Sequence, residues 1–210
     1  MDILKNKDIL DTKRYLQDKM NPDTCLYENE IKEIKHSVKN WKFATDEMYS
    51  PIPFFHELNK FKKGKILKFS SVDEALKKEN TFTFGFSCNE KLLMTQKSNA
   101  IKAGIDHKIY NYKNNTIEYF LMRIYMDKAF KNKLISAGTL SGIENNLQFD
   151  INVQNNGQNW SATVYEYMNN MINKVYRYSK GWNGQTEYKF EYENEILKKI
   201  KIGNIDWWKK

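Results

Sequence analysis

Three strings in the second half of the chain share one pattern: YNYKNNTIEYF (110–120), YEYMNNMINKV (165–175) and FEYENEILKKI (190–200). Aligned on their asparagines, each has an aromatic (Tyr110, Tyr165, Phe190) and a tyrosine two places on (Tyr112, Tyr167, Tyr192). An asparagine follows (Asn114, Asn169, Asn194), then an aliphatic three places later (Ile117, Ile172, Leu197). A helix would scatter these positions around its circumference, whereas a strand puts both aromatics on one face. Asparagine tolerates the left-handed backbone that a two-residue hairpin turn demands. Each string therefore predicts a β-hairpin, with turns at Asn114-Asn115, Asn169-Asn170 and Asn194-Glu195. The register that follows pairs Tyr112 with Ile117, Tyr167 with Ile172 and Tyr192 with Leu197, an aromatic against an aliphatic each time. It also pairs Tyr110 with Tyr119, Val164 with Val175 and Glu191 with Lys198. A helix from Trp160 through Val175 is the rival reading. It ranks second because it ignores the recurrence and the Asn-Gly turn in QNNGQNW, which joins LQFDINV to WSATVYEY.

Extending the alternation predicts strands at about 105–113, 116–127, 147–154, 159–168, 171–179, 186–193 and 196–202. The copies lie 55 and then 25 residues apart, too unevenly for a solenoid, so the hairpins reuse one solution without forming a regular repeat. The first sixty residues have a different period. Ile3, Leu4, Ile9, Leu10, Tyr15 and Leu16 form an apolar stripe at helical spacing, with Asn21-Pro22 as a stop. Leu26, Ile31, Ile34, Val38 and Trp41 mark a second helix running from an Asp23 cap to about Met48. Ser50-Pro51-Ile52-Pro53 breaks that pattern, Ser71 to Lys78 reads as a short capped helix, Thr81 to Cys88 as a strand, and NEKLLMTQKSNAIKAG as a helix ending at Gly104. The expected fold is α+β: one domain over 1–210, with a mainly helical part (1–60) packed on a C-terminal antiparallel β-meander sheet built from hairpins (105–202).

At 210 residues, with 40% apolar residues and only 9 Gly and 3 Pro, the chain can bury a core without disulfides or metals. No run approaches the apolar length of a membrane span, and the first twenty residues mix acids with bases. The expectation is a cytoplasmic protein that does not enter a membrane. Cys25 and Cys88, 63 positions apart with no Cys-x-x-Cys partner, suggest buried thiols and neither a zinc site nor a disulfide. The formal net charge is +8, yet of the 34 basic residues only Arg14, Arg123 and Arg177 are arginines. Arginine makes the bidentate base and phosphate contacts, so its scarcity argues against specific nucleic-acid readout. Lysine, asparagine, isoleucine, tyrosine and phenylalanine all have A/T-rich codons, so part of the lysine excess reflects genomic composition.

The motifs of common chemistries are incomplete. His36, His56 and His107 are far apart, and HELNK at His56 lacks the second histidine of a zinc-protease helix, so no metal or other cofactor is implied. Cys88 and His107 can be drawn as a thiolate and its base, as can any such pair. KKGKILKF has one glycine where a phosphate-binding loop needs two, but Lys60, Lys62, Lys63, Lys65 and Lys68 form a cationic run suited to phosphates. Glu193-Asn194-Glu195 resembles the Glu-x-Glu of ADP-ribosyltransferases over five residues. That family also has a Ser-Thr-Ser strand, which is absent here, and the hairpin turn already accounts for both acids. The tail GNIDWWKK places Trp207 and Trp208 side by side, so on a regular strand only one would point inward.

The leading expectation is a non-enzymatic, bacterial binding protein that masks a partner protein, in the manner of an immunity protein or antitoxin. Trp207, Trp208 and Tyr178 would serve as anchors, and lysines would steer toward an acidic toxin surface. The hairpin strings also resemble the tyrosine-rich repeats of polymorphic toxin systems, which implies the same setting. Two alternatives differ in class. One is single-stranded nucleic-acid binding through the 60–68 lysines and the aromatic tail; the other is a toxin-type transferase acting through Glu193 and Glu195.

Overall fold

The computed structural model describes residues 2–20, 24–99, 104–181 and 184–210; the expected Asn21-Pro22 stop and Asp23 cap lie outside them. Helices α1 (Lys7–Lys19) and α2 (Thr24–Ser37) come first, followed by two short ones, α3 (Phe55–Asn59) and α4 (Val72–Leu76). The strands begin with β1 (Asn40–Ala44), β2 (Ile66–Leu67), β3 (Phe82–Phe86) and β4 (Leu92–Asn99). They continue as β5 (Gly104–Lys113), β6 (Thr116–Tyr125), β7 (Lys133–Ser141), β8 (Leu147–Gln154) and β9 (Asn159–Met168). The last four are β10 (Met171–Ser179), β11 (Gln185–Glu193), β12 (Ile196–Ile202) and β13 (Ile205–Lys209). All pair antiparallel in one sheet, in chain order from β13 to β3, after which β1 lies between β3 and the edge strand β2. The α+β meander expected from the sequence is the fold.

The hairpin corners lie where the asparagines predict. Asn114 has φ 48°, Asn169 and Asn170 have φ 53° and 61°, and Asn194 and Glu195 have φ 49° and 63°. The pairs Tyr112 with Ile117, Tyr167 with Ile172, Tyr192 with Leu197 and Tyr110 with Tyr119 are all present. The recurrence now has a packing explanation. Tyr110, Tyr165 and Phe190 are buried at equivalent positions. Tyr112 and Tyr192 donate hydroxyl hydrogen bonds to the carbonyls of Leu92 and Ile172 on the preceding strands, and Tyr167 donates to Gln148 Oε1. Two expected pairs are displaced by β-bulges. Val175 pairs with Tyr165, not Val164, because the ladder slips between Ile172 and Lys174, and Glu191 pairs with Lys199, not Lys198. The first slip aligns Tyr165, Val175 and Tyr188 in one row across three strands.

Other expectations required correction. The second helix stops at Ser37, and Trp41 lies on β1 opposite Gly85. A Cβ at Gly85 would come within 2.7 Å of Val38 and 3.1 Å of the Trp41 ring, so that glycine makes room for the chain to extend there. Residues 89–104, read as helical, contain β4, an interior strand of the sheet. Both faces of β4 are covered: Met94 and Gln96 are buried under the helices and Thr95 on the opposite side, which hides the period-2 signal. Strands β7 and β13 were not foreseen. The capped helix at 72–76 is as expected, with the Ser71 hydroxyl accepting from Glu74 N–H. Cys25 and Cys88 are exposed, not buried.

The sheet has two differently covered faces. On the first, α1 and α2 bury Ile9, Leu16 and Ile31 against Met94, Ile109, Phe120, Met122 and Val164, the main apolar cluster. Asn6 caps α1 by accepting from Ile9 N–H at 3.0 Å. Tyr15 and Lys19 of α1 join Lys113 of β5 around the Glu118 carboxylate. Burial alone would push Glu118 up, but these hydrogen bonds outweigh it and hold the group down to about 2. The second face is covered by the segment running from Glu47 through α3 to Lys60, which forms a strap. Phe54 (φ 48°) and Lys60 (φ 55°) bracket α3 in left-handed conformations. Tyr49 packs edge-on against Phe84 and Phe86. Among the described residues, no helix is long and apolar enough to cross a membrane.

Candidate functional site: a charged recess beneath the strap

Between the strap and the second face lies a recess of about 380 Å³. Its floor follows from strand periodicity. In LQFDINVQ (β8), Leu147, Phe149, Ile151 and Val153 pack toward the helices. The alternate residues, among them Asp150, Asn152 and Gln154, face the recess. Register then assembles polar rows from distant parts of the chain. Thr95, Lys108, Leu121, Ser136 and Gln154 are successive partners across β4 to β8. Tyr119, Gly138, Asn152 and Ser161 form the next row, and Asp150, Thr163 and Arg177 a third.

Asp150 is at the centre. Tyr119 reaches across β7 and donates its hydroxyl to Asp150 Oδ1 at 2.6 Å. Burial pushes the Asp150 carboxyl up to about 6, against the opposing pull of the Tyr119 hydrogen bond and of the Lys108 and Arg177 charges. Burial by itself would lower the Lys108 pKa, but Tyr110, Glu47 and Asp150 together raise it, so Lys108 stays protonated. Burial and the Asp150 charge hold the Tyr119 and Tyr165 hydroxyls far above their ordinary range, as neutral donors.

Strap and floor are joined at both ends. Lys108 Nζ lies 3.5 Å from Glu47 Oε1. Arg177 donates to Leu58 O at 3.1 Å and to Asn59 Oδ1 at 3.0 Å. At the β4–β6 end, Arg123 grips Asp106 through two hydrogen bonds of 2.5 and 2.8 Å. Two buried hydroxyls near Lys108, Thr95 Oγ1 and that of Tyr110, make no hydrogen bond of proper geometry. The two hydroxyls and the Lys108 ammonium lie beside one another, so each offers a polar neighbour to the others.

The residues singled out from the sequence are dispersed. Trp207 donates from Nε1 to Leu58 O at 3.1 Å, while Tyr178 packs at a tilt against Trp160 beside the helix-side cluster, so these two anchors serve opposite faces. Trp207 and Trp208 both pack on the recess-side cluster, because a bulge between Ile200 and Lys201 overrides strict alternation. Of the lysine run, Lys60 lies 4.0 Å over the Trp207 ring, which brings the run and the tail together. Lys62, Lys63, Lys65 and Lys68 are exposed. Glu193 and Glu195 sit at the tip of the β11–β12 hairpin, Glu193 paired with Lys198 at 3.0 Å. Cys88 bonds to Asn89, whereas His107 is buried beside Gln96 on the helix side, where burial lowers its pKa to about 4. Among the described residues no three His, Cys, Asp or Glu side chains are grouped to hold a metal ion.

Sequence reasoning missed the recess residues, although LQFDINVQ and IDHKIY carried the signal: charged and amide side chains at every second position of strands long enough to lie mid-sheet. No family model, curated protein or solved structure matches this chain.

Proposed function

We propose that the protein works by binding and that the recess beneath the strap holds its ligand. One observation carries this reading: polar and charged groups from seven successive strands converge in a half-open recess beside apolar side chains, the usual composition of a ligand pocket. Binding is favoured over turnover because the ionisable groups around Asp150, whose own carboxyl is raised to about 6, are biased toward fixed states. Lys108 is held charged, Tyr119 and Tyr165 are held neutral, and Asp106 is engaged by Arg123. A thermal-shift screen of metabolites tests the proposal. At least one compound is expected to raise the melting temperature of the wild type by several degrees and to have no effect on Ser136→Leu, which fills the floor. A shift of equal size in Ser136→Leu would move the binding site elsewhere, and a screen without any shift would count against small-ligand binding.

The second reading is the cytoplasmic masking of a partner protein with an acidic surface. It is favoured by the face of β10–β13 turned away from the strap. Register puts Lys174, Lys189, Lys201 and Asp206 in one row there, with Lys199 and Lys209 in the next, and a Lys201–Glu191 ion pair of 2.6 Å between them. β13 is also an open edge, the kind of strand a partner can extend. Co-expression with the product of the adjacent reading frame should give a complex that Lys189→Glu/Lys201→Glu weakens. Retention of the complex by that charge-reversed variant would remove this face from the interface.

A further inference from the structure

We propose that the recess takes a free α-amino acid with an apolar side chain, its ammonium held by Asp150, its carboxylate by Arg177 and its α-carbon over Thr163. This rests on the reading of the recess as a ligand site and adds the chemical class. Register brings the two charges together. Asp150 of β8 pairs with Thr163 of β9, and Thr163 with Arg177 of β10, so an acid and a cation that line the recess share one row with a single small side chain between them. Neighbouring strands lie about 4.8 Å apart, which sets the Asp150 and Arg177 backbones about 10 Å from each other. The two charges influence one another without touching. Burial pushes the Asp150 carboxyl up, and the Tyr119 hydrogen bond and the Lys108 and Arg177 charges offset only part of that push. Tyr165, two residues from Thr163 on the same face, feels both groups: after burial, the Asp150 charge raises its pKa and the Arg177 charge lowers it.

Each member of the pair has capacity left on the recess side. The hydrogen bond from Tyr119 ends on Asp150 Oδ1, which leaves Oδ2 for an incoming ammonium. Arg177 uses two of its five N–H donors on Leu58 O and Asn59 Oδ1, and its remaining contact is the Tyr188 ring at 6.0 Å. Among the described residues Asp150 has no cation, and Arg177 no acid, within ion-pair distance. A purely anionic or purely cationic ligand would pair one of them and leave the other desolvated and unmatched. An α-amino acid carries both charges on one carbon, and with a charge-assisted hydrogen bond of about 2.8 Å at each end it bridges the gap between the two side chains. The Thr163 hydroxyl, midway along the row, adds a donor for the carboxylate. Ile52, Phe55 and Leu58 of the strap and Leu121 of the floor supply apolar surface for the ligand's side chain. Lys108 and Glu47 are engaged with each other, and Asp106 with Arg123.

Calorimetric titration with L-leucine and L-phenylalanine, and with analogues lacking one of the two charges, provides the test. Isocaproate and hydrocinnamate lack the ammonium; isoamylamine and phenethylamine lack the carboxylate. At least one amino acid is expected to bind about tenfold or more tightly than either of its own analogues, since each analogue leaves a desolvated charge unpaired. Asp150→Asn, which keeps an oxygen for Tyr119, should bring that amino acid down to the affinity of its amine-free analogue and leave the analogue itself unchanged. Arg177→Gln should bring it down to the affinity of the carboxylate-free analogue. Because Arg177 also ties down the strap, Asp150→Asn is the deciding variant. An analogue that binds as tightly as its amino acid overturns the zwitterionic class while leaving the recess a ligand site. So does an amino-acid affinity that survives Asp150→Asn, or an equal loss of the amino acid and its amine-free analogue in that variant. Failure of both amino acids at millimolar concentration also overturns the class. It reaches the broader reading only if the metabolite screen against wild type and Ser136→Leu is silent too.

Discussion

Replacing Asp150 with asparagine is expected to make the protein more stable at pH 7. The carboxyl is raised from its ordinary value of 3.8 to about 6, so the folded chain holds its proton more tightly than the unfolded chain does. A raised group of this kind contributes stability at acid pH that is fully present below the unfolded value and is lost as pH rises through the folded value. The window is therefore about pH 4 to 6, and above it the native state carries an ionised carboxylate at a cost. With allowance for its partial exposure, that cost is about 2 kcal/mol. In a chain of this size, removing it should raise the melting temperature by roughly 5 °C at pH 7 and by much less near pH 4. Asparagine keeps an oxygen that can accept from Tyr119, so the geometry survives the change. Thermal unfolding of both proteins at pH 4 and 7 provides the measurement. A loss of stability at pH 7 would instead make Asp150 a structural counter-ion for Lys108 and Arg177, and the recess would lose its central acceptor as a functional group. The expected gain has a functional meaning: an acid retained where a neutral isostere is more stable is held for what it contacts.

The same residue shows where sequence reasoning succeeded and where it stopped. Local chemistry decided the corners: asparagines at 114, 169 and 194 adopt the backbone that hairpin turns need, and the rows around Tyr112, Tyr167 and Tyr192 follow from them. Reading failed where long-range covering decides. Residues 92–99 resemble a helix because both faces of β4 are buried, and Trp41 leaves its helix because Gly85, 44 positions on, has room for it. Bulges defeated the pairs at Val175 and Glu191, since an extra residue in a ladder has no signature in composition. The site was legible in part. Alternation in LQFDINVQ marks Asp150 as facing away from the helices, but nothing in that string distinguishes a polar face open to water from one roofed by a strap. The roof comes from Glu47 and Leu58 and is held by Lys108 and Arg177, residues 61 and 119 positions away from their respective partners.

Gly138→Ala tests the arrangement from the opposite side. Gly138 faces Tyr119 across the β6–β7 ladder, and the tyrosine ring lies over it to reach Asp150 on the next strand. A Cβ at Gly138 would stand 2.3 Å from Tyr119 Cζ and 2.5 Å from its hydroxyl oxygen, inside any real contact. Gly138 is not among the residues with positive φ, so alanine meets no backbone penalty there and in open space would help the strand slightly. The whole cost is steric, plus the loss of the hydrogen bond to a buried carboxylate; together about 3 kcal/mol is expected. Gly104→Ala is the control. Its nearest neighbours, at 3.1 and 3.3 Å, are side-chain atoms of Arg123 and Tyr125, so a small adjustment relieves it and its effect in urea unfolding should stay below about 1 kcal/mol. Tyr119→Leu in the Gly138→Ala background removes the ring that clashes. The double variant should therefore lose less than the sum of the two single changes, an interaction of about 1 kcal/mol or more. If Gly138→Ala costs no more than Gly104→Ala, or if the two changes simply add, Tyr119 is not held across β7. The carboxylate at 150 would then lack the donor that fixes its position at the centre of the recess.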